Sequence, residues 1–158
     1  METTTIEIIG FKDELAKYFT ELNLAWVKKY FTVEPMDQKI LSDPKGNIID
    51  KGGYIYFSLV DEEVAGTFAL LKIDDGVYEL SKMAVAENFQ GKSIGNAMMK
   101  FCIDEAQRLN IQKLILYSNT KLKPAIHLYE KYGFKEVPLE NSEYKRSNIK
   151  MEIILNNL

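Results

Sequence analysis

Apolar and polar residues alternate through "TTIEIIGF", residues 4–11, the period-two pattern of a half-buried strand. The period then changes. Leu15, Tyr18, Phe19, Leu22, Trp26 and Tyr30 recur at spacings of three and four, which predicts one long helix or two broken ones. A second helical piece over residues 34–41 ends at the turn-rich "SDPKGN". Three strand-like runs follow, "YIYFSLV", "EVAGTFALLKI" and "VYELSKMAV", joined by acidic turns at Asp61 and Glu62 and at residues 74–76; short turns between such runs make an antiparallel meander. Next, Ile94, Met98, Phe101, Cys102 and Leu109 share one helical face, and "KLILYS" is a strand. Strand, helix, strand predicts a parallel crossover. "LKPAIHLYEKYGF" forms a last helix with Gly133 at its C-terminal cap, before two closing strands at residues 134–137 and 149–155. The expected class is α/β, with a mixed central sheet built from an antiparallel meander and a strand-helix-strand crossover. With no repeat and no Gly/Ser or Pro-rich linker, residues 1–158 form one domain.

Composition narrows the function. At 158 residues and 46% hydrophobic content, the chain buries about two-thirds of its surface around one core without staples. Twenty Lys and Arg stand against 23 Asp and Glu, a net charge of −3, so no basic stripe tracks a nucleic acid backbone. One cysteine, Cys102, and one histidine, His127, supply neither a disulfide framework nor a cysteine or histidine zinc set. The start "METTTIEIIG" lacks a charged region leading into an apolar one, and no run reaches about 18 apolar residues. A cytoplasmic protein without a membrane segment is expected.

The stretch "NFQGKSIGNAMMKF", residues 88–101, places a glycine-rich turn at the head of a helix. Unpaired first-turn N–H groups and the helix dipole suit an anion there. Written from Ala86, "AENFQGKS" misses the NTPase loop GxxxxGK[ST] only at its first glycine. That reading would wrap phosphates around the Glu87 carboxylate, and "KLILYS" ends in no Asp to hold magnesium. The dinucleotide pattern GxGxxG is absent.

"ELSKMAVAENFQGKSIGNAMM" resembles the signature of the GCN5-related N-acetyltransferase family, in which a strand leads into [QR]xxGx[GA] at a helix head, here residues 90–95. The order of elements along nearly the whole chain resembles the family too. The resemblance implies that Met83, Ala84 and Val85, together with Gln90, Gly91, Lys92, Ser93, Ile94, Gly95 and Asn96, bind acetyl-coenzyme A, with successive backbone amides on its pyrophosphate. Ser93 stands where the pattern has its first glycine and is expected to fit without positive φ. "AIHLYEKYGF" resembles the family's AxxLYxKxGF segment and implies that Tyr129 offers its hydroxyl to the departing thiolate, for which a phenol with a pKa near 10 is suited. The alternative places Tyr129 in the core with Ala125, Leu128 and Tyr132.

Glu79 lies on the strand feeding the binding loop, where relatives carry a glutamate that takes a proton from the acceptor. A solvent-facing or salt-bridged glutamate is the alternative, because strand parity or a bulge leaves its side open. The backbone of Met83 and Val85 would polarise the acetyl carbonyl. Leu122 stands where relatives often have an asparagine, so Asn119 either takes over a pantetheine hydrogen bond or is a turn residue. The segment "NLAWVKKYFTVEPMD" corresponds to the family's acceptor-side helices. There Trp26, Tyr30 and Phe31 with Glu34 and Asp37 suit a cationic amine, unless they are simply an amphipathic helix with a solvated acidic end. Cys102 is expected to pack, and His127 lies across the helix from Tyr129. The expected partner is a small-molecule or peptide amine, with homodimerisation open. A coenzyme-binding sensor without catalysis and a P-loop NTPase are the alternative functions.

Overall fold

The computed structural model describes residues 5–140, 142 and 144–155; Thr4, at the start of the first predicted strand, lies outside them. The elements run β1 (Ile6–Gly10), α1 (Ala16–Tyr30), α2 (Pro35–Ser42), α3 (Pro44–Asn47), β2 (Tyr54–Val60), β3 (Glu63–Asp74), β4 (Val77–Val85), α4 (Ile94–Arg108), β5 (Lys113–Ser118), α5 (Lys123–Lys131), β6 (Lys135–Val137) and β7 (Ile149–Ile154). The first helical pattern is thus one unbroken helix. Part of "SDPKGN" is a short helix rather than a plain turn, because Asp43 accepts the Gly46 N–H at 3.1 Å and Pro44 takes the first helical position.

The seven strands form one sheet in the order β1-β2-β3-β4-β5-β7-β6. All pairs are antiparallel except β4 with β5. Alternation along β2 divides the core between the two faces of the sheet. Tyr56 packs with Phe68, Leu70 and Leu114 under α4, whose Met98, Met99, Cys102 and Ala106 are fully buried. Ile55, Phe57 and Ala69 pack on the other face with Phe19 of α1 and Ile40 and Leu41 of α2. Positive φ at both Asp61 and Glu62 closes the β2–β3 hairpin, the geometry of a tight turn whose twist matches its strands. Among the described residues no helix is long and apolar enough to cross a membrane.

Two irregularities shape the site. β4 pairs with β5 only from Val77–Lys113 to Glu79–Ile115, yet β4 continues to Val85 and β5 to Ser118. The strands part, and the edge of residues 80–85 that faced β5 is not consumed by pairing on that side. In the same stretch the β3–β4 register shifts between Thr67 and Ala69, and Lys82 has φ 56°. This is a bulge, one extra residue that reverses the facing of all that follow. Tyr78 and Leu80 pack toward α4 before it, and Met83 and Val85 do so after it. Even-numbered residues face that core on one side of the bulge and odd-numbered ones on the other.

Candidate active site

Where β4 and β5 part there is a cavity of about 430 Å³. Its walls are residues 79–85 of β4, residues 116–119 at the end of β5, the C-terminal half of α1 with Phe31, the first two turns of α5, and Tyr144, Arg146 and Ser147 ahead of β7. The loop entering α4 contributes Gln90 and Gly95. The cavity opens at the carboxyl ends of the parallel pair, the usual place for a ligand in such a sheet.

The anion-suited turn is built from left-handed residues. Gly91 has φ 78°, and a Cβ placed on it would meet nothing within 4 Å, so the space beside that backbone is open. Ser93 also adopts the left-handed region, with φ 63° and ψ 22°. This corrects the expectation that it fits without positive φ: the strand-to-helix reversal needs the conformation whichever residue occupies it. A non-glycine residue there costs about 1–2 kcal/mol, and the Ser93 hydroxyl caps no backbone group of α4. Ser93→Gly is therefore expected to stabilise the protein by up to about 1 kcal/mol, raising the melting midpoint by roughly 2–4 °C. A lower midpoint on thermal melting would show that the serine side chain outweighs its strain. Gly91, Lys92 and Ser93 are exposed, Ile94 is buried in the core, and Asn96 accepts hydrogen bonds from Lys131 and Tyr132 at 2.8 and 2.9 Å, joining α4 to the C-terminal end of α5.

Tyr129 lines the cavity from α5, its ring edge-on to Phe134 at 6.1 Å. Burial pushes its phenol up to about 12, so at neutral pH it is protonated. Glu79 lines the same cavity and lies close enough to the Lys82 ammonium to favour its charged form. Asn119 lines it too, but its side chain is engaged: Nδ2 donates to the Arg146 carbonyl at 2.8 Å and Oδ1 accepts the Lys121 N–H at 2.9 Å. Trp26 and Tyr30 wall the cavity from α1, with Trp26 5.6 Å from Tyr30 and 5.7 Å from Phe31 between ring centres.

Lys82 and Arg146, which belong to neither signature motif, also line the cavity. Lys82 Nζ donates to Asp37 Oδ1 at 2.6 Å, while Arg146 grips both Asp37 oxygens at 2.8 Å. The Asp37 side chain is fully buried. Burial would push its carboxyl up, but hydrogen bonds from Arg146, Lys82 and the Glu34 N–H hold it at about 2. Burial likewise draws the Lys82 ammonium down, against the pull of Asp37. Glu34 is not in the cavity wall; its carboxylate accepts the Lys145 N–H at 2.8 Å and Arg146 Nη1 at 3.3 Å, fastening the 144–148 segment to the start of α2. The acidic end of the acceptor-side helices is thus paired with cations rather than solvated, and it does not line the cavity.

The sequence profile described as the Acetyltransferase (GNAT) family matches residues 14–134. The chain belongs to that family. An uncharacterized N-acetyltransferase of Bacillus subtilis is 27% identical over 116 residues, 72% of this chain and 75% of its own. A GNAT-family acetyltransferase of Staphylococcus aureus Mu50 superposes with a TM-score of 0.84 at 22% identity, covering 96% of this chain and 100% of that one. The PaiA N-acetyltransferase of Thermoplasma acidophilum, solved in complex with coenzyme A, superposes with a TM-score of 0.75 at 16% identity over 95% and 99% of the two chains. The mixed sheet with its single parallel pair is the fold of these GNAT neighbours. Within this GNAT chain, one sequence signal does point to Lys82: in "ELSKMAV" it shares parity with Leu80 and Ala84, so an unbroken strand would set a lysine between two buried positions. Arg146 stands in the polar run "ENSEYKRSN" and carries no such mark.

Proposed function

We propose that the protein moves an acetyl group from acetyl-coenzyme A to a primary amine, by direct attack with both substrates held in the one cavity. The observation that supports it most is that a single cavity joins an anion-suited helix head, an unpaired strand edge, a protonated phenol and a carboxylate. The residues fit the coenzyme. The freed edge at Met83, Ala84 and Val85 offers backbone groups to an amide-rich arm, and the open space beside Gly91 leaves the amides from Gly91 to Asn96 room for a pyrophosphate. When bound, the coenzyme supplies the acetyl thioester. Glu79 takes the acceptor's proton, directly or through water, and Tyr129 donates to the departing sulfur. Cys102 is fully buried under the sheet and pushed up to about 12 by that burial, which leaves it without a nucleophilic role. His127 is exposed and lies outside the cavity wall.

Thermal melting tests the coenzyme. Acetyl-coenzyme A at 100 times its dissociation constant adds about 2.7 kcal/mol of stability, whereas Mg-ATP is expected to add none. Gly95→Asp should abolish that gain, because a carboxylate at the helix head repels the pyrophosphate. The substitution itself is tolerated: a Cβ at Gly95 makes only an ordinary 3.6 Å contact with Leu128, and an acidic residue in the first turn favours the helix. A full ligand shift in the folded Gly95→Asp protein would sink the assignment of this turn.

A further inference from the structure

We propose that the acceptor is a small amine carrying a carboxylate, and that Lys82, with the charge of Arg146 beside it, binds that carboxylate. The inference rests on the acetyl-transfer reading above and concerns only what the acceptor must look like.

Three described residues with formal charge line the cavity, and two of them are cations: Lys82 and Arg146 against Glu79. The anions that balance the cations stand behind them, since neither Asp37 nor Glu34 is in the wall. Arg146 and Asp37 already make a complete two-pronged pair, with both contacts at 2.8 Å, the geometry in which guanidinium and carboxylate satisfy each other best. Lys82 shares that carboxylate. Asp37 takes one hydrogen of the Lys82 ammonium, which has three, and the Tyr144 ring lies 4.7 Å from its nitrogen. Burying an ammonium costs several kcal/mol unless its hydrogens are met, and the Lys82 side chain is only 4% exposed. A ligand carboxylate in the cavity meets that need.

Several of the rings that would welcome a second positive charge on the acceptor are already engaged by the protein's own cations, Trp26 being the exception. Lys121 Nζ lies 4.1 Å from the centre of the Phe31 ring, and Lys29 Nζ lies 5.3 Å from that of Tyr30. The Tyr144 ring carries Lys82 at 4.7 Å and Arg146 at 4.4 Å. The carboxylates expected from the sequence to draw in a cationic amine hold Arg146 and Lys82 instead. A polyamine would meet this cationic wall with its second charge. An amine bearing a carboxylate sets its anion against Lys82 and Arg146 and leaves its nitrogen for Glu79. The bulge explains how a strand lysine reaches this place, because it turns residue 82 toward α2 while Leu80 and Met83 keep the opposite face.

The test measures release of free coenzyme thiol with three acceptor sets: proteinogenic amino acids with β-alanine and 4-aminobutyrate, the corresponding carboxamides, and 1,4-diaminobutane. On the unaltered protein the best acid is expected to exceed its own amide by about 10- to 100-fold in kcat/KM, mostly through KM, the range of one charge-assisted hydrogen-bonded contact. Dipeptides with an acidic second residue, run beside the free acids, distinguish a peptide source of the carboxylate from a free one. Lys82→Met should collapse the acid-to-amide ratio toward one, and Lys82→Arg should restore part of it. Amides or the diamine accepted as well as the acids, an unchanged ratio in Lys82→Met, or no carboxylated amine accepted while acetyl-coenzyme A still shifts the melting point would each overturn the inference. Loss of that shift in the unaltered protein would instead overturn the acetyl-transfer reading on which it rests. The comparison of acid with amide needs no variant, so a folding defect at Lys82 cannot hide the answer.

Discussion

Tyr129→Phe is expected to lower kcat by about 100-fold or more, the lower end of what a positioned proton donor contributes, while the melting midpoint and the affinity for acetyl-coenzyme A stay near those of the unaltered protein. Only the hydroxyl is lost; the edge-on contact with Phe134 at 6.1 Å belongs to the ring and is retained. The deficit should be flat across the accessible pH range, since the phenol, pushed up to about 12, stays protonated throughout it. Glu79→Gln provides the contrast. If Glu79 accepts the acceptor's proton, its loss should cost about 10- to 100-fold near pH 7, or roughly 1.4–2.7 kcal/mol, and the deficit should shrink as pH rises toward the amine's own pKa. Rates measured at saturating acetyl-coenzyme A from about pH 6 to about pH 10 separate the two shapes. Normal turnover in Tyr129→Phe would return the residue to core packing, and a pH-independent loss in Glu79→Gln would make that carboxylate a positioning group.

The largest effect on stability is expected from Asp37→Asn. Asp37 is buried with two cations on its carboxylate, and removing its charge leaves Lys82 and Arg146 facing each other, with only Glu34 at the outer end. Breaking a buried pair in this way costs about 3–5 kcal/mol, against a total of about 5–15 kcal/mol for an ordinary domain. A fall of about 10 °C in the melting midpoint is the corresponding reading for a chain of this size. The pH dependence has a definite sign. Asp37 is held at about 2 in the folded protein, below its ordinary 3.8, so its contribution is complete above about pH 4 and is lost as pH falls toward 2. The Asp37→Asn protein lacks that titration and should show a shallower loss of stability over this acid window. A midpoint within about 2 °C of the parent at pH 7 would show that Arg146 and Lys82 do not depend on Asp37.

Much of the frame is local and therefore legible in the sequence. β4 and β5 span the residues that alternation and apolar runs predict, and α1 and α4 follow the three-and-four spacing, because side-chain facing along a regular element depends only on its own repeat. The turn at residues 90–95 is legible for the same reason, since glycine content and a helix head are properties of one short segment. Tertiary structure alone decided what the cavity presents. The bulge at Lys82 is imposed by the register of β4 against β3, and a register shift leaves no period to read within the strand that carries it. Arg146 reaches Asp37 across 109 residues of chain, which no spacing rule connects. Ser93 takes a left-handed conformation because the chain must turn from β4 into α4 at that point, although serine has no preference for it. By sequence, Glu34 and Asp37 are either acidic groups suited to a cationic amine or the solvated end of an amphipathic helix; folding sets them behind Arg146 and Lys82, where a carboxylate is stabilised by the cations it neutralises. The sequence determined which elements form and where a glycine-rich turn heads a helix, and the packing of distant segments determined which charged groups line the cavity.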